Sequence, residues 1–521
     1  MRSRLGSWLQ NPVILLSLVA ALSAFVIQSG ELGTSDTTHR LQTAHSIWTS
    51  EPEVFPQEYP EFGLHGREGK LHSWYGMGQS LLMLPADIVG TYIERLPIFG
   101  EYDGTDPTVR SIIVSYSTNI LISVLTVLIC FRLLRQLNFT VRESAAGVLA
   151  LLFCTTHLHY TQNMMENNYI MLLTLTGFSF QLEWLRTGKY RALFFGCAAL
   201  GLNLLTRLTT GLDLIAGGIF ILLLLWFEQQ AKEWRQLLWT YVKVAAPVYI
   251  FFFLIDRFYQ YFRFGSFFNT YVSVFAREYR QLDPSLPPNF PWTTPFHVGM
   301  ISPLIMPEKS IFLFDPLIVL TLLVVIFAWK RLHPDIKAYV ITTLLLVLGY
   351  IAFYARYFVW AGDMAWGDRY VSSAVEMAAF ISVPLLLRHR AELGKTIQVA
   401  GMGLIAISFV IQLGSLAFWL PLEIYQMETF GHPTFVIGLR FKNILAFALG
   451  KMDAWGLNVH AMREDDWDFV HITTWNFLPF LLRRVGEAPA WVVKTTFIVW
   501  GTALAALGWI LMQLRRVLHH T

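Results

Sequence analysis

Long apolar runs separated by short polar segments recur along the whole chain. A helix needs roughly 20 apolar residues to cross a bilayer, and fewer where neighbouring helices cover its ends. On that rule the sequence predicts about twelve transmembrane helices. They lie at 11–28, 110–131, 144–162, 167–185, 191–206, 212–228, 238–257, 311–328, 338–358, 370–387, 397–420 and 491–513.

Basic residues fall on one side of this predicted membrane. With the N-terminus in the cytoplasm, every predicted inner connection carries Lys or Arg, whereas the outer connection 155–168 carries neither. Both termini are therefore expected inside, and three long connections, 29–109, 258–310 and 421–490, are expected outside. These are rich in Trp, Tyr, Pro and Gly, and the apolar stretch 79–89 is too short to span. It predicts a helix lying flat at the membrane interface.

Composition supports an all-α integral membrane protein. Hydrophobic residues make up 55% of the 521 residues and charged residues only 14%, against roughly 25% charged in soluble domains. The net charge of +3 favours neither nucleic acid nor an acidic partner. The cysteines offer no disulfide framework or metal spacing. We expect a transmembrane domain 1–420 that includes the first outer loop 29–109, an outer loop 421–490, and a last helix with a basic tail at 491–521.

An acid follows the first apolar run at the point where the chain reaches the outer side. Asp36 is well placed there for chemistry on a substrate carried by a lipid. The alternative is that Thr34, Ser35 or Asp36 caps a short helix running from Thr37 towards Trp48.

The same loop contains the sequence GREGKLHSWYGMGQ at 66–79. Its two glycines, Gly76 and Gly78, predict a tight turn that leads into the interfacial helix. Such a turn would hold Lys70, His72 and Tyr75 near the membrane surface, where a phosphate headgroup lies. An ordinary interfacial loop is the alternative.

The second outer connection carries His157 and His159, and Glu166 stands at the expected start of the fourth span. Two histidines and a glutamate could bind zinc, but this spacing without a further close ligand is weak evidence, and polar groups lining a cavity mouth fit better. Arg207 lies at the outer end of two short spans. Its partner is either Asp213 or an anion of a ligand.

A third polar cluster lies between the ninth and tenth spans. This short outer turn contains Trp360, Asp363, Trp366, Asp368 and Arg369. Aromatic rings with a planar guanidinium suit sugar stacking and phosphate binding. A local pair of Arg369 with Asp363 or Asp368 is the alternative. Lys309 is the last charge before the eighth span, where snorkelling would also explain it.

Together these features resemble the GT-C superfamily of membrane glycosyltransferases that use polyprenyl-phosphate sugars, which includes protein O-mannosyltransferases and the lipid A aminoarabinose transferase. The resemblance rests on Asp36, the large first outer loop and the number of spans. Bacterial members carry a G-R-x-G-x-x-x-S-K-Y-G-x-G-Q loop and a G-x-R-Y turn, which 66–79 and 367–370 match. The lysine of S-K-Y-G is Trp74 here, so Lys70 or His72 would have to replace it.

The resemblance implies a GT-C bundle with interfacial helices in a bacterial inner membrane, its active site on the outer face. It implies an inverting transfer of a sugar from a polyprenyl-phosphate donor to a hydroxyl on a glycan, lipid or protein acceptor. Asp36 would be the general base and Glu166 a second-choice acid. The phosphate would be bound by Lys70, Arg207, Lys309 and Arg369. Sugar or acceptor contacts would come from His39, His72, Tyr75, His157, His159, Trp360, Asp363, Trp366 and Asp368.

No cofactor is required by this chemistry, and metal dependence stays open. The segment 463–471 is a candidate for acceptor contact. Two other functions handle the same lipid carriers, namely a flippase or transporter of polyprenyl-linked glycans and an O-antigen-type ligase. Transporters usually bind substrate at the bilayer midplane, whereas the polar residues here collect on the outer side. That distribution favours an enzyme at the membrane surface.

Overall fold

The computed structural model describes residues 10–102, 107–227, 234–363, 365–419, 422–423, 426–427, 431, 434–452, 474–485 and 488–520. The candidate acceptor segment 463–471 lies outside the described residues.

Helices form most of the described chain. The N-terminal half contains α1 Pro12–Ile27, α2 Ser35–Ser46, α3 Met77–Glu94, α4 Val109–Gln136, α5 Val141–Cys154, α6 His157–Gln162, α7 Asn167–Thr187, α8 Tyr190–Leu204, α9 Gly211–Phe227 and α10 Trp234–Phe264. The C-terminal half contains α11 Tyr271–Leu282, α12 Phe296–Ile305, α13 Ile311–Phe314, α14 Leu317–Ala328, α15 Pro334–Tyr354, α16 Ser372–Ala379, α17 Ser382–Arg388, α18 Lys395–Ser415, α19 Val436–Ala448, α20 Leu478–Val485 and α21 Ala490–His520. Two short antiparallel strands, β1 Gly63–His65 and β2 Leu71–Ser73, pair in the first outer loop with Leu64 opposite His72.

The predicted all-α membrane fold is confirmed, and each predicted span coincides with a helix or a broken pair of helices. Among the described residues, six helical segments are long and apolar enough to cross a membrane: 109–136, 208–227, 234–264, 334–354, 395–415 and 490–520. Three predicted spans are interrupted, at 155–156, 315–316 and 380–381. At 315–316 the break has a simple cause, because Pro316 has no N–H to donate within a helix.

The bundle is closed by helices that are distant in sequence. α1 packs against α4 and against α21, so the first and last described helices are neighbours. Leu15, Leu16, Val19 and Ala20 of α1 are fully buried in this contact region. Large apolar side chains elsewhere point outward, as in α10, where Phe251 is 59% exposed. Exposed apolar faces of this extent fit a surface that meets lipid rather than water.

A helix is present over the stretch 79–89, as α3, but the tight turn predicted at Gly76 and Gly78 is wrong. Gly76 is extended, with φ −73° and ψ 157°, and α3 begins at the next residue. Both glycines instead allow a close approach to the end of α8. A Cβ on Gly76 would lie 2.4 Å from the carbonyl oxygen of Leu205, and one on Gly78 would lie 2.3 Å from Oγ1 of Thr206. The Gly78 N–H donates to the Leu205 carbonyl at 2.8 Å.

Candidate active site

The loop 29–109 is fixed against the connection 155–168 at Asn163 and Met164. Gly33 has φ +81°, and a Cβ there would lie 2.6 Å from Cα of Asn163, so only glycine fits this approach. Thr37 Oγ1 donates to the Met164 carbonyl at 2.8 Å, and Gln79 Nε2 donates to the same oxygen at 3.0 Å. This docking brings the start of α2 beside the start of α7.

Asp36 lies in the first turn of α2, and its carboxylate is bound on both oxygens. The N-cap of α2 is Thr34, whose side chain accepts a hydrogen bond from the Thr37 N–H. The short helix considered as the alternative is therefore present, and its cap is Thr34 and not Asp36. Arg369 Nη1 donates to Asp36 Oδ2 at 2.5 Å, and the Tyr75 hydroxyl donates to Oδ1 at 2.7 Å.

The electrostatic surroundings keep Asp36 ionised. Burial acts to raise the pKa of Asp36, but the guanidinium groups of Arg369 and Arg40 and the Tyr75 hydrogen bond outweigh it. The pKa of Asp36 is therefore held well below its usual range. Burial also lowers the pKa of Arg40 to about 10, which leaves this arginine charged at neutral pH.

Glu166, the residue before α7, joins two further arginines. Its Oε2 lies 3.0 Å from Arg40 Nη2, and its Oε1 accepts a hydrogen bond from Arg207 Nη2. Two aromatic rings cover these cations. The Arg40 guanidinium lies 4.4 Å from the ring centre of Tyr75, and that of Arg207 lies 5.1 Å from the ring centre of Tyr370.

The structure thus assembles an ion cluster from four separate parts of the chain. We call Asp36, Arg40, Glu166, Arg207 and Arg369 the ion cluster. Three guanidinium groups against two carboxylates leave one positive charge, in a partly buried setting where charges interact more strongly than in bulk water. Such a site attracts an anion with a single negative charge.

An apolar cavity of about 580 Å³ adjoins the ion cluster at Tyr370. Its aromatic lining is formed by Tyr271, Phe290, Trp292, Phe353, Tyr354, Tyr357 and Tyr370. The rings of Tyr354 and Tyr370 are stacked with centroids 4.1 Å apart. Ile215 and Phe353 also line the cavity and are 60% and 44% exposed on the outside of the bundle. The cavity therefore connects the ion cluster with an apolar outer surface.

A second layer of buried polar residues holds Tyr75 in place. Arg263, at the end of α10, donates from Nη1 to the Tyr75 carbonyl and to Glu53 Oε1, both at 3.2 Å. Glu53 also accepts from Ser73 Oγ at 2.7 Å and lies 2.8 Å from His72 Nδ1. This network ties the β1–β2 loop to the bundle directly beneath the Tyr75–Asp36 contact.

The turn that carries Arg369 is stabilised by Lys309. Lys309 Nζ donates to the carbonyls of residues 363, 365 and 367 at 2.5, 2.9 and 3.3 Å. These contacts use the three N–H groups of the ammonium, so the described geometry gives Lys309 a role in shaping the turn. Gly362 is required beside it, because a Cβ there would lie 2.2 Å from Cγ of Arg369.

Several other predicted residues have their described contacts outside the ion cluster. Lys70 is exposed and lies 3.7 Å from Glu68, on the solvent side of the strand pair. His39 is buried and stacks on Phe62 with centroids 4.2 Å apart. His157 is fully buried, with Nδ1 3.9 Å from Glu376.

The turn 360–369 contains both buried and exposed members of the predicted set. Trp366 is fully buried and stacks on His159 at 5.6 Å. Asp368 is buried and accepts from the Tyr370 N–H at 3.1 Å. Asp363 is exposed and Trp360 is half-buried. Within the described ranges, no group of three or more His, Cys, Asp or Glu side chains is arranged to hold a metal ion.

Two residues of this region, Arg40 and Tyr370, were not assigned a role in the site from the sequence. The i, i+4 spacing of Asp36 and Arg40 places both on one face of a short helix, which would have identified Arg40. Tyr370 is the tyrosine of the G-x-R-Y match at 367–370, but its contacts with two arginines and the aromatic cavity depend on the fold and could not be inferred from that match.

Comparison with known proteins gives matches among solved structures. No family model and no curated protein matches the chain. The archaeal oligosaccharyltransferase AglB from Archaeoglobus fulgidus, in complex with an inhibitory peptide and a dolichol-phosphate, is 13% identical with a TM-score of 0.40, covering 78% of this chain and 55% of that one. ArnT from Cupriavidus metallidurans, bound to undecaprenyl phosphate, is 14% identical with a TM-score of 0.42, covering 90% of this chain and 84% of that one.

Both matches are low in sequence identity and in TM-score. This chain spans about half the length of the oligosaccharyltransferase, with 55% covered. At these TM-scores no residue role passes from either structure to this chain, and function has to come from the ion cluster and its cavity.

Proposed function

We propose that this chain is an inverting glycosyltransferase that moves a sugar from a polyprenyl-phosphate donor to an acceptor hydroxyl on the outer face of the bacterial inner membrane. The observation that carries this proposal is the carboxylate of Asp36, held between Arg369 and Tyr75 beside an apolar cavity. A charged reacting centre next to an apolar groove suits a substrate with a polar head and a hydrocarbon tail.

The two parts of the donor have separate places in this proposal. The first isoprene units lie in the cavity lined by Tyr271, Tyr354 and Tyr357, which is open to the outside of the bundle. The phosphate lies near Tyr370, within reach of Arg207 and Arg369. A phosphodiester has one negative charge, which matches the single positive charge left over in the ion cluster. Guanidinium groups also bind phosphate oxygens in a bidentate geometry.

The transfer is a single displacement at the anomeric carbon. Asp36 takes the proton from the acceptor hydroxyl as the new carbon–oxygen bond forms. The bond between the anomeric carbon and the phosphate oxygen breaks, and its electron pair stays on the phosphate. Because the leaving phosphate is stabilised by the arginines, no general acid is needed to protonate it. One displacement inverts the anomeric configuration.

Glu166 is better suited to organising the site than to proton transfer. It contacts both Arg40 and Arg207, so its carboxylate sets the positions of two of the three cations. A flippase or transporter of polyprenyl-linked glycans, or an O-antigen-type ligase, would bind the same carrier. A flippase or transporter would have no need of a carboxylate aimed at the phosphate-binding arginines, and for this reason we favour transfer.

The test is a donor panel with purified protein in lipid, radiolabelled polyprenyl-phosphate sugars and bacterial envelope extract. The proposal predicts transfer of label from one donor by the wild type and loss of transfer by Asp36→Asn. If both proteins move the lipid-linked sugar between leaflets and neither transfers label, the chain is a flippase or transporter instead.

A further inference from the structure

We infer that the Asp36 carboxylate and the donor phosphate compete for the Arg369 guanidinium. When the donor binds, its phosphate replaces Asp36 at Arg369, and the Asp36 carboxylate becomes free to act as the base. This inference rests on the proposed function and adds how the base is kept inactive until donor is present.

The first observation is that both oxygens of Asp36 are already in use. Oδ2 accepts from Arg369 at 2.5 Å and Oδ1 accepts from Tyr75 at 2.7 Å. The same contacts hold the pKa of Asp36 far below its usual range, against the effect of burial. A carboxylate in this condition is a weak base, because base strength falls with pKa. An acceptor hydroxyl would therefore meet a weak base whose two oxygens each already accept a hydrogen bond from the protein.

The second observation is that the three arginines differ in their partners. Arg40 and Arg207 both contact Glu166, whereas the ion-pair partner of Arg369 is Asp36. Arg369 is also incompletely satisfied, since its buried Nε has no hydrogen-bond partner among the described residues. Arg369 therefore has an N–H group, at Nε, that could donate to a phosphate. Its ion-pair partner is Asp36, the carboxylate that the reaction needs as a free base.

The third observation is that Arg369 is held in place by more than Asp36. Its stem passes directly over Gly362, where a Cβ would lie 2.2 Å from Cγ, and its guanidinium lies 5.4 Å from the ring centre of Tyr370. The neighbouring backbone is fixed as well, because the Asn167 side chain donates to the Arg369 carbonyl at 2.5 Å. The guanidinium can thus exchange one anion for another without the loss of its position.

Charge balance supports the exchange through the whole reaction. With Asp36 ionised, the ion cluster has one positive charge and matches the phosphodiester of the donor. After transfer, Asp36 carries the acceptor proton, and the ion cluster has two positive charges. That charge matches the lipid monophosphate product in its dianionic form. When Asp36 loses this proton to solvent, the Asp36–Arg369 ion pair forms again, which favours release of the lipid monophosphate.

The test is a binding measurement with a polyprenyl monophosphate that carries no sugar, so that no turnover occurs. Wild type, Asp36→Asn and Asp36→Ala are compared in lipid nanodiscs by native mass spectrometry or tryptophan fluorescence. Because the wild type must give up a charge-assisted hydrogen bond to bind, we expect each variant to bind about tenfold more tightly. Thermal unfolding checks that the variants are folded, and the Ala variant removes any acceptor that Asn retains.

The matched control is Asp363→Asn. Asp363 is exposed in the same turn and has φ +58°, a conformation that Asn adopts readily. This substitution removes one negative charge without touching the Asp36–Arg369 pair, and we expect the Kd to change less than about threefold, as for an exposed charge.

The outcomes separate this inference from the proposed function. If wild type transfers sugar but Asp36→Asn binds the lipid phosphate equally or more weakly, the exchange is wrong and the proposed function stands. Equal tightening by Asp36→Asn and Asp363→Asn would reflect net charge alone and would also overturn the exchange. If none of the proteins binds the lipid phosphate, both the exchange and the proposed function fail.

Discussion

Gly78→Ala tests whether the approach of α3 to the end of α8 positions the ion cluster. The added Cβ would lie 2.3 Å from Thr206 Oγ1, 2.8 Å from the Thr206 nitrogen and 3.0 Å from the Leu205 carbonyl carbon. Two of these are backbone atoms, so rotation of the Thr206 side chain does not relieve the clash. The backbones have to separate, and the Gly78 N–H to Leu205 carbonyl hydrogen bond lengthens from 2.8 Å.

The magnitude follows from three contributions. Overpacking costs about 1–3 kcal/mol, and weakening of the backbone hydrogen bond costs about 1 kcal/mol. Alanine is favoured over glycine within a helix by about 1 kcal/mol, which offsets part of this. We therefore expect a net destabilisation of about 1–3 kcal/mol. The same displacement moves Arg207, the next residue after Thr206, away from Glu166.

The assay combines thermal unfolding in detergent with binding of a polyprenyl monophosphate. We expect Gly78→Ala to lower the unfolding temperature and to weaken binding severalfold. Gly100→Ala is the matched control, because among the described residues no heavy atom other than those of the adjacent residues lies within 4 Å of a Cβ at Gly100. If Gly78→Ala behaves like Gly100→Ala in both measurements, the close approach does not position Arg207 and our account of this junction is wrong.

Two further predictions concern titrating groups of the site and of the network beneath it. Burial opposes ionisation of Glu53, but Arg263 and His72 lower its pKa to about 2. The ionised Glu53 carboxylate therefore stabilises the fold above the ordinary glutamate pKa, and this stabilisation is lost as the pH falls towards 2. Glu53→Gln should therefore unfold at a lower temperature at pH 7 and lose less stability on acidification, and an unchanged pH profile of the unfolding temperature would contradict this. Tyr75→Phe removes one of the contacts that lower the pKa of Asp36. The acid limb of the pH–rate profile for transfer should therefore move to higher pH. An acid limb at the same pH would show that Asp36 is not the titrating group.

The helical framework could be predicted from the sequence because its main signal is local. The thickness of a bilayer fixes the length of an apolar run, and each predicted span has a helix in the structure. The break within the predicted span 370–387 was less accessible, because Phe380 and Ile381, which separate α16 from α17, continue the apolar run. The glycines at 76 and 78 were misread for a related reason. Glycine permits both a turn and a close approach of two backbones, and only the position of α8 distinguishes them.

The pairing within the ion cluster could not be predicted, because it joins residues that are far apart in the chain. Asp36 and Arg369 are separated by 333 positions. Sequence nearness suggested Asp213 as a partner for Arg207, but Arg207 contacts Glu166, and Asp213 accepts from the Tyr350 hydroxyl at 2.6 Å. Nearness likewise suggested Asp363 or Asp368 for Arg369, which instead contacts Asp36. The sequence showed which arginines and carboxylates could form the site. Which carboxylate pairs with which arginine depends on how the loops dock, and the sequence does not show this.

The most direct measurement of the central claim is a single-turnover experiment on Asp36→Asn loaded with the active donor. Donor binding is measured first, and then the release of free polyprenyl phosphate is followed after addition of acceptor. If Asp36 is the base, the variant binds donor at least as tightly as wild type, while its transfer rate falls by about 10²–10⁴-fold, the usual contribution of general base catalysis. Transfer by the variant within about tenfold of the wild-type rate would contradict the account, because the acceptor proton would then have another destination.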